Sequence, residues 1–205
     1  MKNLVWFRND LRLHDNPALS HACAKADQVV GIYIVTFKQW EEHNDSPNKI
    51  AFWFRSLIEL QKDLHKLNIP LCILKCDAYD DCPQKIEEFA SANEINNLYF
   101  NIEYPVSELK RDEQVQAVLE KMGTSCFSFH DQVIHEPGTL KTNAGTNFSV
   151  YSPFKRKWFA ELKDEQLKLL PIPEKKEALN LKSSDVSEYI SQTDISVSYT
   201  HLRAH

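Results

Sequence analysis

The sequence predicts an α/β fold, a doubly wound five-stranded parallel sheet of the Rossmann-like type. Three observations carry this expectation. Five short apolar runs alternate with helical patterns, the order that successive βαβ units produce. The second run, Gln28–Val35 (QVVGIYIV), is apolar on both alternating sets, as in a strand buried on both faces. A longer segment places Ile50, Trp53, Leu57, Leu60, Leu64 and Leu67 alternately three and four residues apart, which is one face of a helix.

Leu4–Phe7 reads as the first strand. Pro17–Ala26 is the first helix, with Asp15 or Asn16 as N-cap and Pro17 in the first helical position. The long amphipathic helix begins at Ser46-Pro47 and runs to about Lys66. Leu71–Lys75 is the third strand and Cys82–Asn93 the helix after it. Asn97–Asn101 is the fourth strand, and the helix Val106–Met122 stops at Gly123. Thr124–Phe129 is the fifth strand. His130–Tyr151, with Pro137, Gly138 and Gly145, reads as a long loop. Tyr151–Lys163 is a short helix capped by Ser152, with Pro153 at its first position. From Pro171 the chain is rich in Lys, Glu and Ser and reads as a linker. Residues 1–165 therefore form an α/β domain and 166–196 a linker. The last nine residues, Val197–His205, match neither; they read as a non-native extension or a natural tail.

Composition narrows the function. The net charge of −5 is a poor match for a domain that grips DNA phosphates by itself. No window approaches the ~18 apolar residues of a membrane helix. Met1-Lys2-Asn3 leads straight into a strand, so no signal peptide is expected. Five irregularly spaced cysteines point to a reducing cytoplasm.

The four glycines are Gly31, Gly123, Gly138 and Gly145. None lies in the turn after the first strand, Arg8–Arg12, where a dinucleotide or P-loop site needs backbone close to phosphate. Such sites are not expected. Arg8, Asp10, Arg12, His14 and Asp15 crowd that turn, and read either as a site or docking surface, or as a mutually paired ion network. Cys72, Cys76 and Cys82 lack a second ligand pair and read as inert buried thiols rather than metal ligands. Lys155-Arg156-Lys157-Trp158 is a basic-aromatic patch that suits either nucleic acid or a solvated helix face. No H-E-x-x-H or G-x-S-x-G motif is present.

The run Leu4–Pro17, LVWFRNDLRLHDNP, closely resembles the opening of the DNA photolyase and cryptochrome family, a strand ending in W-F-R followed by D-L-R-x-x-D-N. The match continues through Gln39–Pro47, through Tyr99–Glu108 with Arg111-Asp112, and through Val150–Lys155, so it covers about residues 3 to 165. The resemblance is greatest to class I cyclobutane pyrimidine dimer photolyases. It implies the N-terminal antenna domain of a blue-light-dependent deoxyribodipyrimidine photo-lyase, a monomer, with the chain stopping before the FAD-binding helical domain. In such an enzyme FAD and damaged DNA both engage the helical domain, and the base pair is opened so that the dimer flips out. The resemblance further implies a 5,10-methenyltetrahydrofolate antenna held by this sheet edge together with the helical domain, and contacted by a histidine and an Asn-Glu pair. His43 and Glu108 match these, while Ser107 stands where the family has Asn. The 205-residue chain alone is expected neither to bind FAD tightly nor to repair DNA, and to aggregate through exposed interface. A cryptochrome light sensor is the alternative. A free-standing nucleotide-binding or stress-type module is a more distant one, because it would need the glycine cradle.

Overall fold

The computed structural model of the protein describes residues 1–190, so the expectation for Val197–His205 lies outside the described residues. Five parallel strands stand in the order β3-β2-β1-β4-β5. They are β1 (Lys2–Phe7), β2 (Gln28–Val35), β3 (Leu71–Lys75), β4 (Asn97–Asn101) and β5 (Ser125–Phe129). The helices are α1 (Pro17–Lys25), α2 (Phe37–Glu42), α3 (Pro47–Lys66), α4 (Cys82–Ala92), α5 (Val106–Lys121), α6 (Tyr151–Ala160) and α7 (Ser187–Ile190).

The pleat of β1 divides the interior in two. Val5 and Phe7 face Leu19, Leu57 and Leu64 of α1 and α3. Leu4 and Trp6 face Ile86, Val115 and Leu119 of α4 and α5. Both faces of the central strands are covered, hence the continuous apolar run of β2. Gly31 is required there: a Cβ would stand 2.9 Å from the Phe7 ring and 3.2 Å from Leu71. Asn16 caps α1 by accepting from the Leu19 amide at 3.1 Å, and Ser46 caps α3 by accepting from the Lys49 amide at 3.3 Å.

Four differences from the sequence reading have physical causes. β1 starts at Lys2 rather than Leu4, because the buried Asn3 is satisfied on both sides: it donates to the Ala22 carbonyl at 2.9 Å and accepts from Asn97 at 2.8 Å. Hydropathy alone hides such a strand residue. The stretch around Gln39, read as loop, contains α2, a six-residue helix without a side-chain cap. It is anchored by Trp40, packed against Phe37, Trp53 and Phe54. α6 is capped at Val150, not Ser152, and ends at Ala160 instead of Lys163. Pro153 is tolerated because N–H groups of the first turn have no intrahelical acceptor.

The fourth difference concerns the segment read as a linker. Its described part, residues 166–190, is packed and includes the one-turn helix α7, forming a strap along the sheet. The Asp15 amide donates to the Leu170 carbonyl at 2.9 Å, and the Asp15 carboxylate accepts from the Leu170 amide at 3.1 Å. Val186 is buried in the core. Ser183 and Ser184 accept from the outward amides of Leu71 and Ile73, at 3.1 and 2.8 Å, and the Ser184 amide donates to the Leu71 carbonyl. The strap thus occupies the open edge of β3. Replacing both serines by alanine orphans two donors and is expected to cost about 1–3 kcal/mol for each, read from urea denaturation. A double variant as stable as the parent would show that water satisfies that edge. Among the described residues, no helix is long and apolar enough to cross a membrane.

Candidate functional site

The carboxyl ends of β1, β2 and β4 open on one edge, where strand order reverses beside β1, the usual ligand position in a doubly wound sheet. The charged turn after β1 sits here and is paired internally. Arg8 Nη1 donates to both carboxylate oxygens of Asp112 at 2.9 Å. Arg111 donates to Asp112 at 2.8 Å and to Glu103 at 3.0 Å. Arg8 also bonds the Asn101 carbonyl, and Asn9 donates to Glu103. Two arginines and two carboxylates, all buried, bond one another, and Arg8 Nε is left without a hydrogen-bond partner, 3.8 Å from Glu103. Their guanidinium groups lie on aromatic faces: Arg8 and Arg111 are 4.6 and 4.7 Å from the Trp6 ring centre. Burial alone would lower the Arg111 pKa, but Asp112 and Glu103 outweigh it and hold the guanidinium above its ordinary value. Burial raises the Asp10 pKa, against the opposing pull of the Arg8 amide, the Arg8 charge and Asn101.

The five charges of the turn therefore divide. Arg8 and Asp10 belong to the buried network. Arg12 pairs with Asp131, and Asp15 anchors the strap. His14 instead lines a surface hollow beside α3. The N-terminal amides of α1 are consumed by side chains: Ala18 donates to Asn101 and Leu19 to Asn16. That turn holds asparagine amides and carboxylates where a phosphate cradle would present open backbone N–H groups, so an FAD pyrophosphate does not fit it.

Beside this network lies a cleft of about 110 Å³. Tyr33, Trp40, Trp53 and Tyr79 form its walls, and His43 and Glu108 its rim. His43 follows α2 and is exposed; its Nε2 is 2.8 Å from Gln39 Nε2, and its ring stands edge-on to Tyr79 at 6.1 Å. Glu108 lies in the first turn of α5 and accepts from the Tyr79 hydroxyl at 3.3 Å. Tyr79 also stacks on Arg111 at 4.7 Å. Burial raises its pKa, with Glu108 adding and Arg111 opposing, so the hydroxyl remains a donor. The structure brings His43 and Glu108 to one rim through Tyr79. It leaves Ser107 exposed and outside the lining.

Tyr79 escaped the sequence reading. Its signal was an aromatic residue in the β3–α4 connection, which the topology places on the same edge as His43 and Glu108. Trp158 of the basic-aromatic patch turns inward, its ring edge-on to His135 at 5.2 Å, and Lys157 pairs with Glu161. The exposed aromatic beside these cations is Phe159, whose ring lies 6.0 Å from the Lys155 ammonium.

Among known proteins, the family model described as DNA photolyase matches residues 3–176. The deoxyribodipyrimidine photo-lyase of Buchnera aphidicola (subsp. Acyrthosiphon pisum) is 35% identical over 178 residues, covering 86% of this chain and 37% of the relative. That of Escherichia coli K12 is 33% identical over 183 residues, covering 89% and 38%. A bacterial class III photolyase from Agrobacterium tumefaciens superposes with a TM-score of 0.72 at 27% identity, over 91% of this chain and 37% of that one. The chain thus spans little more than a third of the length of the relatives it matches.

Proposed function

Because the chain belongs to the DNA photolyase family, we propose that it is the antenna-bearing α/β domain of a blue-light-dependent deoxyribodipyrimidine photo-lyase acting on cyclobutane pyrimidine dimers in DNA. The observation that carries this reading is the convergence of His43 and Glu108 on Tyr79 at the carboxyl edge of the sheet. In this reading the cleft receives a conjugated ring, 5,10-methenyltetrahydrofolate. The residues fit such a ring in chemistry. The Glu108 carboxylate accepts ring and amino N–H groups, the His43 imidazole offers one donor or one acceptor, and Tyr79 supplies an aromatic face. In size the fit is partial. About 110 Å³ is below the ~300–1,000 Å³ of most ligand pockets, so the remainder of the molecule lies outside, across the rim. Ser107 offers a single donor where the family pattern has an amide, which in this reading weakens the grip on the tail.

When bound, the folate supplies light absorption, and reduced FAD supplies the electron that splits the dimer. No residue of this chain is assigned to FAD or to the damaged DNA; in this reading both engage the part of the relatives that lies beyond the match.

The test is retention of methenyltetrahydrofolate by the full-length protein through gel filtration, followed by its near-ultraviolet band. Glu108→Ala removes a charge-assisted hydrogen bond worth about 1.5–3 kcal/mol and should weaken retention at least tenfold. A full-length protein that retains no folate, or an E108A variant of it that retains folate equally, refutes the antenna assignment. A cryptochrome shares the fold, and light-driven dimer repair by the full-length protein separates the two.

A further inference from the structure

A tyrosine, a histidine and a glutamate meet where β4 and β5 end. Tyr104 lies between β4 and α5, His130 directly follows β5, and Glu136 is in the loop beyond it. The Tyr104 hydroxyl is 2.8 Å from His130 Nδ1. Their rings are nearly parallel, 10° apart in plane with centres 5.9 Å apart. On the other side of the imidazole, Nε2 is 3.3 Å from Glu136 Oε1. A carboxylate there favours the tautomer with its hydrogen on Nε2, which leaves Nδ1 to accept from the phenol.

Hydrogen bonds outside the group hold each member in place. The Ile102 amide donates to the Phe129 carbonyl at 2.7 Å and ties together the two strand ends that lead to Tyr104 and His130. Asp131, next to His130, accepts from Arg12 at 3.1 Å. The Thr139 amide and hydroxyl both donate to the Glu136 carbonyl, at 3.1 and 2.7 Å. Tyr104 is half-buried, whereas His130 and Glu136 are exposed, so solutes reach the group.

We propose that Tyr104 is an activated nucleophile that takes an acyl group from activated esters, with His130 as its general base and Glu136 as the residue that positions the base. The inference goes beyond the antenna reading and does not depend on it. A nucleophile bonded to a base, with a third group orienting that base, is the arrangement covalent catalysis uses on unrelated folds. In the step, Tyr104 Oη attacks the ester carbonyl carbon while its proton passes to His130 Nδ1. The new C–O bond forms, the bond from carbon to the leaving oxygen breaks, and that oxygen takes the proton from His130. The products are an O-acyl tyrosine and an alcohol or phenol, and nothing is oxidised or reduced.

The surroundings make the base necessary. Burial raises the Tyr104 pKa, and the charges of Glu136 and Asp131 raise it further, so the side chain carries less phenolate than a solvated tyrosine. Without a base it would react more slowly than Tyr151, which is 71% exposed. With His130 that order reverses.

The test is brief treatment of the full chain with p-nitrophenyl acetate, then digestion and fragment sequencing of the tyrosine-containing peptides. We expect Tyr104 to be acetylated ahead of Tyr151, with hydroxylamine removing the label. His130→Asn keeps an acceptor beside the hydroxyl but no base; it should slow labelling of Tyr104 by about tenfold or more and leave Tyr151 unchanged. Glu136→Gln should slow labelling of Tyr104 when His130 is present and add nothing in H130N, because it acts through the imidazole. Labelling of Tyr151 as fast as Tyr104 in the parent chain, or unchanged labelling of Tyr104 in H130N, overturns the proposal and leaves the three residues as a clamp on the loop. Additive losses from the two substitutions take Glu136 out of its role. The parent comparison requires no variant to fold.

Discussion

Asp112→Ala will lower the stability of the fold by about 3–5 kcal/mol, the loss typical when one partner of a buried ion pair is removed. The reason is local arithmetic of charge. Asp112 is bonded to both Arg8 and Arg111, and its side chain is 5% exposed. Without it, two buried guanidinium groups share Glu103 alone and repel each other. Replacing Arg8 and Asp112 together with apolar residues of similar volume should cost much less, because no uncompensated charge is left. Urea denaturation of the three variants measures both effects. A loss below about 1 kcal/mol for D112A would place the network in the class of solvated pairs.

Trp40→Ala is the second large effect, at about 3–5 kcal/mol. Trp40 is 5% exposed and is the buried residue of α2. A helix of six residues without a side-chain cap has too few internal bonds to persist alone, so its packing on Phe37, Trp53 and Phe54 holds it. W40A should therefore release the amides of His43 and Asp45, which bond Gln39 and Trp40, and hydrogen exchange at those two positions should accelerate. Phe52→Ala, at a side chain 63% exposed on α3, is the control and should change stability by less than about 0.5 kcal/mol. Unchanged protection at His43 in W40A would show that α2 has another anchor.

The sheet was legible in the sequence because its information is local. The run QVVGIYIV and the stripe from Ile50 to Leu67 each declare a period within one element. What escaped depends on partners distant in the chain. Asn3 lies in a strand because of Ala22 and Asn97, and α2 exists because Trp40 meets α3. The strap looked like linker because serine hydroxyls, not apolar side chains, make its contacts with β3. In the candidate site, His43 and Glu108 were reached by resemblance. Tyr79, which joins them, lies in a connection that no motif marks. The ambiguity over the charged turn resolved only when Glu103, Arg111 and Asp112 came into contact with it.

The strap also sets an order in time. The bond between Ser183 and the β3 amide of Leu71 joins residues 112 positions apart. At ~5–20 residues per second, a ribosome needs roughly 6–20 s after finishing β3 to deliver the serines that cover it. During that interval the nascent sheet presents a bare strand edge, the kind that pairs with other chains. Slow synthesis therefore lengthens the period in which this chain is vulnerable to misassembly, and a chaperone that shields β3 until residue 184 emerges would protect it most.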